Sequence, residues 1–326
     1  MLHLRAVSPA EHTDAVLRLL REQPGATHVV LLRGAAVEPA GDVVEADLAR
    51  EAADEVLTGL CDLGVDRDGG ITLEAIDATL SAAADRAEER APGEGADAVV
   101  WQELVARTGE ESRLNVTYQA FLTIACLLAA VGAVTDSPVT VVGAMVVGPE
   151  FGPLAAVAVG LVRRRWGMVR RAAIALGVGF PVAMAVTAVG TALGEAAGLF
   201  TRDSIAHLDQ VDFIYDVGPF SLIVALLAGA AGMLSLTSTK SAALVGVFIS
   251  VTTVPAAGFA AVAMVLGDWR HAASSTAQLA VNLAGIVLAA VLVLWLRRRR
   301  GDDAGAGDRP GARPLGHPAA PPLGGE

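Results

Sequence analysis

The first 76 residues switch between two hydrophobic periods. Leu2-His3-Leu4-Arg5-Ala6-Val7 alternates as a strand does, and Glu11 to Glu22 carries Val16, Leu17, Leu19 and Leu20 at helical spacing. Pro24-Gly25 stops that helix, and Ala26 to Val37 returns to a strand pattern. Pro39-Ala40-Gly41 makes a turn, and Asp42 to Leu48 alternates as a third strand. Glu51 to Leu63 places Ala52, Val56, Leu57 and Leu60 on one helical face, and Ile71 to Ile76 is a last strand. The order βαββαβ is that of a ferredoxin-like split βαβ unit, a fold that hosts many activities and selects none.

Residues 81–114 are rich in Ala, Glu, Asp and Gly and predict a solvated, acidic linker with one short helix near Val99 to Arg107. The pattern then changes to long apolar runs. Six spans are predicted, at 115–134, 137–162, 172–193, 217–236, 241–266 and 276–296, each near the ~20 residues that cross a bilayer core. In lipid such runs must be helices, because no water pairs their backbone groups. Residues 297–326 open on four arginines and continue as a Gly/Pro/Ala-rich tail that predicts disorder. The fold class expected is therefore a polytopic α-helical membrane protein with an N-terminal α/β domain, divided at 1–80, 81–114, 115–296 and 297–326.

Charge sharpens that division. Residues 1–114 hold 23 Asp+Glu against 10 Lys+Arg, and residues 115–326 hold 12 against 14. The acidic front end excludes nucleic acid as a partner. Arginines and lysine gather in alternate loops: Arg163, Arg164, Arg165, Arg170 and Arg171, then Lys240, then Arg297 to Arg300. That bias puts these loops and both termini in the cytoplasm, in a multi-pass protein of the cell membrane. Met1 to Ala10 has no apolar h-region, so no signal peptide is expected.

The membrane region reads as two related halves. Phe121 and Phe220 each open an apolar run that ends in a short polar turn. Val142-Gly143 aligns with Val245-Gly246, Ala155 to Val159 resembles Ala260 to Met264, and Trp166 and Trp269 each precede a third span. Three spans per half is an odd number, so the second half lies inverted, a 3+3 arrangement that recurs in secondary transporters. Ala/Val/Gly-rich helices also look alike by composition alone.

Residues 133–158 carry Ser137, Gly143, Ala144, Met145, Pro149 and Pro153 in the spacing S-x-x-x-x-x-G-A-M-x-x-x-P-x-x-x-P. This resembles the signature of a bacterial membrane family known as domain of unknown function 389, whose members join a small α/β domain to a hydrophobic domain. The chain departs from many members in having Glu150-Phe151-Gly152 between the prolines. The resemblance implies a fold and a membrane location, and no activity.

Candidate chemistry follows from the interruptions. Gly143, Gly148, Pro149, Gly152 and Pro153 should break span two, since proline removes a donor and clashes with the turn before it. Ser250, Thr252, Thr253, Pro255 and Gly258 interrupt span five at the matching place. Paired breaks of this kind mark transporter sites, and paired structural kinks would look the same. Glu150 lies in the first break, where a carboxylate is costly and by default functional; a span starting after Pro149 would instead leave it near a surface. Gln278 and Asn282 share a face of span six, suited to an ion, a solute or a neighbouring helix. Gly190, Gly194 and Gly198 suggest close helix packing.

Other motifs fall short. Asp66-Arg67-Asp68-Gly69 lacks both terminal ligands of a calcium loop. Asn115-Val116-Thr117 fits a glycosylation triplet only by chance. The six histidines are scattered and Cys61 and Cys126 read as free thiols, so neither metal, cofactor nor disulfide is expected. No hydrolase, metalloprotease or phosphate-loop motif occurs, which argues against an enzyme. The expected partners are the lipid bilayer, a small ion or solute and a second copy of the chain. The function expected is a small-solute or ion transporter or channel regulated by its cytoplasmic domain. The alternative is a non-transporting sensor or scaffold whose α/β domain binds a metabolite or a protein.

Overall fold

The computed structural model describes residues 1–76, 78–91, 99–200, 219–238 and 253–307. Its N-terminal unit runs β1 (Leu2–Ser8), α1 (Thr13–Glu22), β2 (Ala26–Val37), β3 (Ala40–Leu48), α2 (Arg50–Asp62), α3 (Val65–Asp68) and β4 (Gly70–Ala75). The four strands form one antiparallel sheet ordered β2-β3-β1-β4. The alternation in β1 turns Leu2, Leu4 and Ala6 inward, opposite Leu48, Ala46 and Val44 of β3. Val16, Leu17 and Leu20 of α1 and Val56, Leu57 and Leu60 of α2 close this core.

Two features extend the unit past residue 80. Residues 82–90 form a helix, α4 (Ala82–Arg90), where the sequence reads as solvated linker. Ser81 caps it, accepting hydrogen bonds from the Ala83 and Ala84 N–H groups at 3.2 and 3.4 Å. α5 (Trp101–Glu111) follows, and Val100 just before it is buried in the N-terminal core. The Trp101 N–H donates to Asp54 at 3.0 Å, and Arg50 pairs with Glu103 at 3.3 Å. The acidic composition of 81–114 misleads because the small apolar faces, Ala84 and Ala87, then Trp101 and Leu104, occupy few positions.

From residue 116 the helices are apolar: α6 (Val116–Val134), α7 (Pro138–Val147), α8 (Phe151–Val162), α9 (Trp166–Ala196), α10 (Pro219–Thr237), α11 (Val254–Val265) and α12 (Trp269–Gly307). Four of them, α6, α9, α10 and α12, are long and apolar enough to cross a membrane, and the bent pair α7–α8 makes up to five. Only 33–44% of each span window is buried. The outward faces carry Ile124, Val182, Val189, Leu227 and Leu288, as a lipid-facing surface requires. α11 has 12 residues, and the preceding part of predicted span five lies outside the described residues. α12 continues through the four arginines to Gly307, so the first residues of the tail expected to be disordered from Gly301 are helical. Asn115 proves to be the N-cap of α6, accepting the Tyr118 N–H at 2.7 Å, which gives the chance triplet a structural role.

Close packing rests on few glycines. A Cβ at Gly258 would stand 2.7 Å from the Ala129 Cβ and 2.8 Å from the Cys126 carbonyl oxygen, so α11 and α6 touch there through backbone. A Cβ at Gly132 would stand 2.7 Å from Val141, and one at Gly143 would meet nothing within 4 Å among the described residues. Of the four-spaced glycines, Gly190 packs on Leu127 of α6, whereas Gly198 has φ +72° and ends α9. Gly258→Ala should therefore destabilise the protein by about 1–3 kcal/mol through overpacking, while Gly143→Ala leaves the midpoint unchanged or raised. Unfolding of the two purified variants in mild detergent reads the difference.

The open face of the sheet carries a polar cluster that sequence spacing does not reveal. The rings of His3 and His28 both bond to Asp47, at 2.8 and 2.7 Å, and the other nitrogen of His28 bonds to the Ser81 hydroxyl at 2.9 Å. His28 has φ 49°, a left-handed backbone that a non-glycine residue adopts only when held. Burial raises the Asp47 carboxyl, but the two histidine hydrogen bonds outweigh it and hold the group below its ordinary 3.8. A carboxyl lowered on folding stabilises above its unfolded value, and that contribution disappears as the pH falls through the folded one. Asp47→Asn should lower protection of the α4 amides against hydrogen exchange by about 1 kcal/mol at neutral pH. It should also remove the loss of protection that the wild type undergoes below 3.8.

Candidate functional site

The first break lies between α7 and α8. Ser137 caps α7, accepting the Thr140 N–H at 3.4 Å, and Pro138 takes the first turn, where a missing N–H costs nothing. Gly148 leaves the helix at φ −62°, ψ 125°, and α8 starts at Phe151 after a bend of 52°. At 1.5 Å per residue, Glu150 stands about 15 Å from the start of α7 and about 18 Å from the end of α8. It is fully buried, at 0% exposure, so it lies inside the bundle and not at a surface.

Glu150 meets the start of α11. Its Oε1 accepts the Thr253 hydroxyl at 2.6 Å, and Thr253 is the residue that precedes α11. Thr253 and Pro255 are both buried, and Pro255 sits in the first turn of α11 as Pro153 does in that of α8. The Tyr118 hydroxyl and Cys126 of α6 lie within electrostatic reach of the Glu150 carboxylate. Tyr118 is 6% exposed, and its hydroxyl has no hydrogen-bond partner among the described residues. Its ring covers Gly179 of α9, where a Cβ would stand 3.0 Å away.

α12 supplies a buried polar stripe of Ser275, Gln278 and Asn282. Ser221 of α10 donates to the Asn282 side-chain oxygen at 3.0 Å and accepts from Gln278 at 3.3 Å. Gln278 and Asn282 thus join α12 to α10. Two predicted residues fall elsewhere: Gly143 faces open space, and Gly152 packs against Glu111 of α5. Gly148, Pro149 and Pro153 shape the first break itself. Ser250 and Thr252 lie outside the described residues.

The elements that build the site recur at a constant interval. α6 and α10 both have 19 residues, and α8 and α11 both have 12. Each start is displaced by the same 103 positions that separate Glu150 from Thr253, and Trp166 from Trp269. Backbone hydrogen bonds repeat with them. Arg165 N–H bonds to Gly160 as Asp268 N–H bonds to Ala263, and Leu154 N–H bonds to Glu150 as Ala257 N–H bonds to Thr253. Arg164 at φ 54° occupies the place of Gly267 at φ 80°. The residues missed from sequence, Tyr118 and Ser221, are one such pair. A single offset applied throughout would have found them, whereas pairing Phe121 with Phe220 by resemblance does not keep it.

The helices cross-pack between the two sets. α6 and α9 run in the same direction, touching at Gln119 with Gly179 and at Leu127 with Gly190. α10 and α12 also run together, through Ser221 with Asn282, Gly229 with Ile286 and Thr237 with Arg297. Leu154 of α8 clusters with Ala225, Ala228 and Ile286, and Val159 with Met233, Ala290 and Leu294. α11 packs in the same way on α6, with Gly258 at Ala129 and Val262 at Ala130.

The N-terminal unit reaches this site through α5. The Arg163 guanidinium lies 5.2 Å from the centre of the Trp101 ring, at the outer end of α8. Glu111, at the far end of α5, packs on Gly152, two residues from Glu150.

No curated protein and no solved structure matches the chain. A family model, Domain of unknown function (DUF389), matches residues 145–288, from Met145 in α7 to Leu288 in α12. That stretch, which carries both Glu150 and Thr253 together with Gln278 and Asn282, matches the model of the family whose signature residues 133–158 resemble.

Proposed function

We propose that this is a membrane transporter or channel for a small ion or solute, with its site where Glu150 and Thr253 meet. One observation carries the reading: positions 103 residues apart, each at the start of a 12-residue half-helix, are in contact inside the bundle. The reading includes six spans in two inverted halves. Its support is directional. α8 clusters with α10 and α12 at successive levels and turns back on α9, so α6 and α9 run against α10 and α12. Breaks that face each other across such halves leave backbone groups and a carboxylate able to handle an ion, a proton or a polar solute.

The N-terminal unit reads as ferredoxin-like from its strand order, and as the regulator through α5. The function is non-enzymatic in this reading. The Ser81–His28–Asp47 geometry resembles a nucleophile relay, but the Ser81 oxygen already accepts two N–H groups at the start of α4. Both termini are cytoplasmic in the cell membrane, which the arginines at the α8–α9 turn and at Arg297 support, since the N-terminal unit docks at that end. A membrane-anchored sensor is the second reading, favoured by the same docking of α5 on α8.

Two measurements test this. With Cys61 and Cys126 replaced by Ala, G198C should react with an impermeant maleimide on intact cells and R164C only after lysis. The reverse pattern inverts the topology. Purified protein in proteoliposomes, with a trapped pH dye and imposed salt gradients, should move ions or protons, and Glu150→Gln should reduce the rate at least tenfold while keeping the fold. Equal rates in wild type and variant, or no movement in either, leave the sensor reading.

A further inference from the structure

We infer that the solute handled at this site is a small anion, for which the Glu150 carboxylate is the tethered stand-in. The inference rests on the transport reading above and names its ligand class. Glu150 does not cap its own helix; its carboxylate is bound instead by Thr253, at the start of α11. A carboxyl group therefore already sits at the start of a 12-residue half-helix from the other half of the domain. Helix N-termini present unpaired N–H groups and a positive dipole end, which attract anions and repel cations.

The surrounding donors agree. Thr253 donates to the carboxylate, and the Tyr118 hydroxyl, buried and without a hydrogen-bond partner among the described residues, lies within electrostatic reach of it. A buried phenol hydroxyl of this kind is able to donate a hydrogen bond to an anion. Protonation of Glu150 neutralises the stand-in and releases Thr253 to a free anion, so a proton taken up at Glu150 and the anion share one site. Formate, acetate and chloride are the anions of matching size and single charge.

Removing the stand-in exposes the site. Glu150→Ala, purified in detergent, should gain thermal stability with formate in a saturable way, compared with gluconate at equal ionic strength. Wild type, its site filled, should not respond. Adding Thr253→Val or Tyr118→Phe to Glu150→Ala should raise the half-saturating formate concentration about tenfold. If Glu150→Ala does not fold, Glu150→Ser offers the same cavity. A midpoint that follows Na⁺, K⁺ or choline at constant formate assigns a cation site and overturns the inference. No response to formate, acetate or chloride overturns it too. Neither result touches the flux experiment with Glu150→Gln, so the anion assignment can fail while transport stands.

Discussion

A helix interrupted inside an apolar bundle leaves backbone donors and acceptors that lipid cannot satisfy. Everything distinctive in this domain follows from that constraint. Gly148 and Pro149 end one helix about halfway along its path, and the groups they release must be matched within the protein. Beside the break, the Glu150 carboxyl group is met by a second helix start, at Thr253, whose hydroxyl donates to it. For the two starts to meet, α8 must pack among α10 and α12, and α11 against α6 and α9. That exchange brings helices into backbone contact, and glycine or alanine is required wherever it happens, as at Gly258 on α6 and Gly229 on α12.

Among the described residues, α5 joins the N-terminal unit to this arrangement. α5 lies along α8 with Trp101 at the arginine turn and Glu111 beside the first turn of α8. The same helix carries Glu103, which pairs with Arg50 of α2. Any shift of the sheet and its helices therefore bears on α8, the element that sets where Glu150 stands. The His3–Asp47–His28 cluster on the far face of the sheet fixes α4 and is not part of this path.

Much of this is legible in the sequence, for reasons that differ by region. The strands of residues 1–76 and the helices α1 and α2 follow from clean alternation and helical spacing, with observed bounds one or two residues from the pattern, whereas the short helix α3 falls where the sequence reads as a polar turn. The breaks are legible because glycine and proline have few structural uses inside an apolar run. Glu150 is legible by its cost. α4 is not, since its buried face is only Ala84 and Ala87. Tyr118 and Ser221 are not, because a tyrosine and a serine share a hydroxyl but differ in size and apolar surface, and only the backbone repeats. Gly152 looks like part of the break and serves instead as a seat for α5, a contact between segments that no local pattern encodes.

The two positions that meet at the centre differ in one respect: one is an acid and the other an alcohol. Thr253 stands at the position that the 103-residue interval pairs with Glu150. Two carboxylates there could not both ionise, and two threonines would carry no charge at all. With an acid at one position and an alcohol at the other, the contact holds one ionisable group.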